Sequence, residues 1–187
     1  AQKDRGGLEF LTGIPGTVGG AVVSNAGAHG DEIQRYITYV DVLDSINGTS
    51  KRLSQSDCGF AYRHSIFRDC QTLIITRIGL DLDQQGFDQA KKQQILDWRK
   101  NNQPLSQPNA GSIFKNPPGD NAGRLIEEFV GKGFQVGQAA VSLIHANIFV
   151  NLGGATAADF QKLIAQVKKM VYDKSQIQLE EEIVQIC

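Results

Sequence analysis

The sequence predicts an α+β protein in two parts, and three observations carry that prediction. Residues 36–44 and 72–82 are β-branched and partly alternating, so they read as strands with no helix-length pattern between them. Later stretches carry apolar stripes at helical spacing. Between the two lies Asn101-Asn-Gln-Pro-Leu-Ser-Gln-Pro108, whose prolines and amides make it the best linker in the chain. Residues 1–105 form one part, 106–176 a second, and 177–187 a last strand.

Residues 6–30 hold Gly6, Gly7, Gly13, Gly16, Gly19, Gly20, Gly27 and Gly30. No regular helix or strand tolerates that density, so the segment reads as loop with short turns. Its centre is Gly13-Ile14-Pro15-Gly16-Thr17-Val18-Gly19-Gly20. Glycine lets backbone N–H groups approach an anion, and successive N–H groups form a concave nest for phosphate. Pro15 stiffens the loop and Thr17 offers a hydroxyl. No Lys follows Gly20, and the glycine spacing is not that of the dinucleotide fingerprint, so neither standard phosphate motif is matched. A tightly packed turn is the plain alternative. Ser24-Asn-Ala-Gly-Ala28 adds small residues and an amide, which suits a surface pressed against a ligand.

Tyr36 to Asp44 is a strand, Asn47-Gly48 a hairpin turn, and Lys51-Arg-Leu53 starts the return strand. Tyr62, Arg63 and His64 follow between apolar residues. Arg63 suits a carboxylate or phosphate, where its planar fork is useful, against the plain alternative of a surface ion pair. His29, His64 and His145 are too far apart in sequence to suggest a metal site, and none is expected. A helix is expected from Phe87 to Asn101, with Phe87, Ala90, Ile95 and Trp98 as its apolar contacts. Asp120 or Asn121 caps a second helix reaching Gly131. Ala146 to Asn151 is a strand, and Thr156-Ala-Ala-Asp159 is a capping box opening an amphipathic helix. Ile177 to Ile186 alternates as a strand with Glu180, Glu181 and Glu182 at its centre, so at least one carboxylate turns with whichever face is buried. A solvated edge is the plain alternative for that cluster.

Composition bounds the function classes. Among 187 residues, nineteen basic and twenty acidic side chains nearly cancel, which argues against a nucleic-acid surface. Cys58, Cys70 and Cys187 have no framework spacing and read as reduced thiols of a cytoplasmic protein. No apolar run spans a membrane. Both ends read as cut, and nothing in the sequence speaks to oligomeric state.

Ser112-Ile-Phe-Lys115 matches the acylation motif S-x-x-K. That motif needs a helix to bring Ser and Lys together, and Asn116-Pro117-Pro118 disfavours one; its companion motifs are absent. A serine can instead donate a proton to an enolic carbon while a cation and a carboxyl group hold the developing enolate. Arg63 and the glutamates of 180–182 are the candidates for that pair.

The chain resembles the UDP-N-acetylenolpyruvoylglucosamine reductases over essentially its whole length. The resemblance rests on Gly7-Leu-Glu-Phe10, the 13–21 loop, Asn25-Ala-Gly-Ala-His-Gly30, Tyr62-Arg63 before Ser65-Ile-Phe67, and Gly111-Ser-Ile-Phe-Lys-Asn-Pro117. It continues with Ala122-Gly-Arg-Leu-Ile126, Ser142 with His145-Ala-Asn147, and Leu179-Glu-Glu-Glu-Ile183. It implies an NADPH- and FAD-dependent reduction of the enolpyruvyl ether of UDP-N-acetylglucosamine, a step of peptidoglycan precursor synthesis. It implies Ser112 as proton donor and Arg63 with Glu182 as the enolate-stabilising pair. Tyr62, Lys115 and Asn116 fall near the UDP-sugar, and the residues of loop 13–20 (Gly13, Ile14, Pro15, Gly16, Thr17, Gly19, Gly20) on one side of the FAD. It further implies part of a two-lobed FAD-binding domain of the vanillyl-alcohol-oxidase type over 1–105, a substrate domain over 106–176, and a last strand returning to the FAD part. Nothing in the chain corresponds to the family's amino-terminal lobe. Two alternatives stay open: another FAD-dependent oxidoreductase of the same superfamily, and a non-catalytic truncated module.

Overall fold

The computed structural model describes residues 4–83 and 86–186. The chain enters through a short 3-10 turn, Glu9–Leu11, whose Glu9 is buried. Burial pushes the Glu9 carboxyl up, but N–H groups of Asp88, Glu9 and Gly7 outweigh it and hold the carboxyl below its ordinary range. One oxygen takes the Gly7 amide and the other the Asp88 amide, so this carboxylate ties residue 7 to residue 88.

The glycine-rich segment is not loop throughout. Residues Val18–Val23 form a helix, α1, so Gly19 and Gly20 lie in its first turn. The Thr17 side chain caps it by accepting the Gly20 N–H at 3.1 Å, and Val22 on its inner side is fully buried. The local cap and the buried valine outweigh the poor helix propensity of the glycines. Strands β1 (Gly27–Ala28) and β2 (Asp31–Glu32) make a hairpin that the glycine count concealed. His29 and Gly30 at its tip have φ of 54° and 81°, the paired left-handed geometry of a tight two-residue hairpin loop.

Strands β3 (Ile37–Asp44), β4 (Ser50–Ser54) and β5 (Leu73–Leu80) form an antiparallel sheet of order β4-β3-β5. Val40 and Val42 alternate onto one face and are completely buried with Phe10, Val22, Ile33 and Phe67, the last on the short helix α2 (Ile66–Asp69). Cys58 joins this core, and burial pushes its thiol up to about 11. Cys70 is half-buried, and both are free thiols; Cys187 lies outside the described residues.

Helix α3 (Gln89–Asn102) starts two residues after Phe87, and of the four expected apolar contacts only Ile95 is buried in it; Ala90 and Trp98 are exposed. The chain divides into two compact units within α3, between Asp97 and Trp98, ahead of the 101–108 stretch expected to separate the parts.

In the second unit, β6 (Asn109–Ser112), helix α4 (Ala122–Phe129), β7 (Gln135–Val136), β8 (Ala139–Val141), β9 (Ile148–Asn151) and helix α5 (Ala157–Ser175) follow. The sheet order is β6-β9-β8-β7, all antiparallel. Helix α5 buries Leu163, Ile164, Val167 and Val171 against Leu125 and Ile126 of α4 and Phe149 of β9, as its spacing predicts. The α+β class is as expected.

The strand expected over 177–186 is corrected. Only one bridge forms there, Phe114↔Glu181, flanked by Lys115 N–H to Glu180 O at 2.9 Å and Glu182 N–H to Ile113 O at 2.8 Å. The next donor in that ladder would be residue 117, a proline with no N–H. At the other end Gly111, with φ +78°, breaks the extended geometry. Leu179 is buried in the second unit's core and Ile183 packs on that core. Among the described residues no helix is long and apolar enough to cross a membrane, and no group of three His, Cys, Asp or Glu is placed to hold a metal ion.

The capping box of α5 is complete: the Thr156 side chain takes the Asp159 N–H, and the Asp159 carboxylate takes the Thr156 N–H. Replacing Thr156 with Ala is expected to cost about 1 kcal/mol, read as a lower denaturant midpoint at unchanged slope. An unchanged midpoint would mean that α5 is held by packing alone.

Candidate functional site

In the first unit, the loop of Gly13 to Gly20 borders a groove of about 420 Å³. Leu11, Ile14 and Val18 give it apolar walls, while Thr17 and Ser24 supply hydroxyls. Ile14 and Val18 are exposed, and a Cβ built on Gly16 (φ +138°) meets nothing within 4 Å. The backbone is therefore open on this side, and a flat, partly apolar ligand can lie along it.

Tyr62 and Arg63 form the tip of a two-residue turn. Its base is closed in both directions, Ala61 N–H to His64 O at 3.1 Å and His64 N–H to Ala61 O at 3.0 Å. Arg63 is left-handed, with φ +54°. A non-glycine residue pays about 1–2 kcal/mol for that conformation. Its Nη2 donates to the Gly27 carbonyl at 2.8 Å, and a hydrogen bond from a charged group contributes about 1.5–3 kcal/mol, enough to offset the strain. Ser65, fully buried, donates Oγ–H to the Val23 carbonyl at 2.7 Å and pins the far side of the turn. Tyr62 is 45% exposed, with the Arg63 guanidinium 5.0 Å from its ring centre. His64 Nε2 lies 3.6 Å from Asp69.

Asn25, expected among small residues facing a ligand, is instead fully buried. Its amide is spent inside the protein: Nδ2 donates to Glu32 at 3.0 Å and to the Ala61 carbonyl at 2.9 Å, and Oδ1 accepts the Gln34 N–H at 3.2 Å.

In the second unit, Ser112 ends β6 immediately after the left-handed Gly111. The pairs Asn109↔Val150 and Ser112↔Ile148 leave one extra residue on β6, a bulge that re-aims the side chains beside it. Ser112 and Lys115 are thus on extended chain, not on the helix that S-x-x-K chemistry would need. Past the bulge, the buried Asn147 side chain acts as a strand neighbour for Phe114: Oδ1 accepts its N–H at 3.0 Å and Nδ2 donates to its carbonyl at 2.8 Å. The opposite edge is taken by residues 180–182 through the short ladder described above. Beside Asn147, His145 is held below its ordinary pKa first by burial and then by the charge of Lys132.

The three adjacent glutamates have separate environments. Glu180 pairs with Lys115, whose side chain is only 17% exposed. Glu181 pairs with Lys168 at 2.9 Å and also takes the Gln185 amide; the Lys168 bond holds its carboxyl below the ordinary range against the effect of burial. Glu182 lies one residue further along, half-buried, with its backbone tied to Ile113 next to Ser112. Asn116, expected as a substrate contact, accepts the Ala122 N–H at 3.0 Å and so joins the Ser112 strand to the start of α4. The second unit therefore brings together Ser112, Lys115, Asn116 and Glu182, while Tyr62, Arg63 and the glycine loop share the first. Sequence reasoning assigned no role to Asn147 or Ser65 and gave Asn25 a ligand-facing one in place of its structural one. Besides standing in the motifs that carry the resemblance, each offered only an amide or hydroxyl beside apolar residues, where a buried polar group needs partners.

Residues 103–186 match the family described as UDP-N-acetylenolpyruvoylglucosamine reductase, C-terminal domain. A UDP-N-acetylenolpyruvoylglucosamine reductase sequence from Bacillus licheniformis is 44% identical, over 94% of this chain and 96% of its own length. The chain belongs to the UDP-N-acetylenolpyruvoylglucosamine reductase family. A longer relative of the same name from Bacillus licheniformis is also 44% identical, over 98% of this chain and 61% of its own. The family member from Bacillus subtilis is 40% identical with the same coverage. The crystal structure of UDP-N-acetylenolpyruvylglucosamine reductase from Thermus caldophilus superposes with a TM-score of 0.76 at 37% identity, covering 94% of this chain and 62% of that one. The chain thus spans about three fifths of the length of these longer relatives. The family's C-terminal-domain match lies wholly within the second unit.

Asn147→Ala is expected to destabilise the protein by about 2–4 kcal/mol, because it strands both buried backbone groups of Phe114. Chemical denaturation of wild type and variant checks this; a loss below about 1 kcal/mol would show that water or β9 replaces the amide.

Proposed function

We propose that the protein of which this chain is part is a cytoplasmic, NADPH- and FAD-dependent reductase. It reduces the enolpyruvyl ether of UDP-N-acetylglucosamine to UDP-N-acetylmuramate for peptidoglycan precursor synthesis. The observation that carries the reading is the setting of Ser112. The serine follows a glycine bulge on a strand held along both edges, and the backbone N–H of Glu182 is tied to Ile113, the residue after Ser112. A proton donor must stand still relative to the carbon it serves, and this strand is built for that.

The glycine loop fits one face of a flavin, since its groove pairs apolar walls with open backbone at Gly16. FAD, when bound, supplies the hydride it has taken from NADPH. In this reading the residues up to about 105 hold the FAD side and those from about 106 the UDP-sugar side. Arg63 and Glu182 polarise the substrate carboxylate as negative charge develops on it. Ser112 then gives its hydroxyl proton to the carbon next to the one that receives the hydride. One hydride and one proton saturate the double bond, and the serine regains its proton from solvent. Lys115, Asn116 and Tyr62 orient the UDP-sugar.

The test uses the gene-length protein and separates the half-reactions. Ser112→Ala is expected to leave flavin reduction by NADPH nearly intact and to slow reoxidation by the enolpyruvyl substrate on the order of 100-fold or more. Equal loss in both steps would make Ser112 structural. A yellow protein that ignores this substrate would favour another oxidoreductase of the superfamily, and a colourless one a non-catalytic module.

A further inference from the structure

We propose that Asn25 is the positioning residue for Arg63, coupling the turn that carries it to the end of the glycine-loop helix. The inference rests on the role of Arg63 proposed above. Asn25 is completely buried and adopts a left-handed backbone, φ +44°, one residue past Ser24, the cap of helix α1. Asparagine tolerates that conformation better than most side chains, and here it also aims the amide. Its backbone N–H is bonded to the Val22 carbonyl, so its position follows the helix.

The amide reaches three segments. It takes the Gln34 N–H, donates to Glu32, and donates to the Ala61 carbonyl. That carbonyl already accepts the His64 N–H that closes the Tyr62–Arg63 turn. Asn25 thus fills its second lone pair and fixes the Ala61–Tyr62 peptide plane that opens the turn. Two residues later in the chain, Gly27 offers the carbonyl that receives Arg63 Nη2. Gly27 itself admits no side chain: a Cβ there would stand 2.6 Å from the Asp31 carbonyl oxygen and 3.2 Å from Arg63 Nη1. Both the base of the turn and the guanidinium at its tip are therefore referred to one short stretch, Asn25 to Gly27. That stretch is continuous with the helix opening on the glycine loop. A strained arginine turn relaxes unless its surroundings over-determine it, and Asn25 adds to the Gly27 and Ser65 bonds a side-chain bond to the base of the turn.

The experiment compares Asn25→Gly, which keeps the left-handed backbone, and Asn25→Asp, which keeps the size and the acceptor but loses the donor. Both are made in the gene-length protein, alone and combined with Arg63→Gly. Each single variant is expected to slow substrate-dependent flavin reoxidation on the order of 100-fold, the cost of a misplacement of about 1 Å. Flavin reduction by NADPH is expected to change by less than about threefold, and in the Arg63→Gly background the Asn25 changes add less than about twofold, because residues that act as a unit are not additive. In flavin-free protein, hydrogen exchange of the Arg63 guanidinium is expected to accelerate about tenfold while the other arginines stay unchanged. Equal slowing of both half-reactions, or an undiminished effect in the Arg63→Gly background, would overturn the proposal. So would failure of both variants to fold, which would make Asn25 a requirement of the fold alone. Wild-type turnover in Arg63→Gly would instead remove Arg63 from the reaction, and the exchange measurement would still decide whether Asn25 holds it.

Discussion

The carboxamide of Asn147 takes both backbone groups of Phe114, and much of the second unit depends on that pair of bonds. The regular pairing of β6 with β9 ends at Ser112, where the bulge has put the two strands out of step. Without a substitute partner, the buried amide and carbonyl of Phe114 would cost about 1–3 kcal/mol each. The side-chain amide copies the missing strand and lets residues 113–115 stay extended. Phe114 and Ile113 then bury their side chains in the core, and the free edge of the strand becomes available to residues 180–182. One buried asparagine thus places a serine, a lysine and a glutamate along the same few residues.

The first unit solves a similar problem at a different backbone. Its arginine turn is conformationally costly and lies near the surface, where packing alone would not hold it. Hydrogen bonds from Asn25, Ser65 and Arg63 itself refer the turn to the end of α1 and the strand after it. In both units a fully satisfied buried polar group specifies an irregular backbone, which a purely apolar core cannot do because it lacks direction. No buried side-chain polar atom among the described residues lacks a partner, so neither device leaves a polar group stranded.

Local signals were legible in the sequence and pairings between distant residues were not. The α5 capping box needs only Thr156 and Asp159, three residues apart, and it appears as read. The β3–β4 connection contains the expected Asn47-Gly48, with Gly48 left-handed, and the nearby Asp44 carboxylate accepts from Ile46 N–H and Asn47 Nδ2. Strands β7 and β8 went unseen because Gln135-Val136 and Ala139-Ala-Val141 are too short to show a period; β8 pairs with β9 and β7 with β8. The 177–186 stretch showed a strand's alternation but found a partner only as far as Pro117 and Gly111 allow. The glycines of 19 and 20 argued for loop, and a threonine cap with one buried valine made a helix. Ser112, Arg63 and Glu182 were legible as candidates by residue type and resemblance. The amides that hold their backbones were not, since an asparagine carries no mark of the carbonyl it will meet.

Amide hydrogen exchange across the 112–115 strand tests this account most directly. If the strand is clamped on both edges, Phe114, Lys115 and Glu182 exchange only through global opening, at the same slow limit as Val150 and Phe149 of β9. Exchange of Phe114 and Lys115 as fast as the exposed amides of the 101–107 stretch, with β9 still protected, would show that the strand opens by itself. It would then not be the fixed platform on which Ser112 depends.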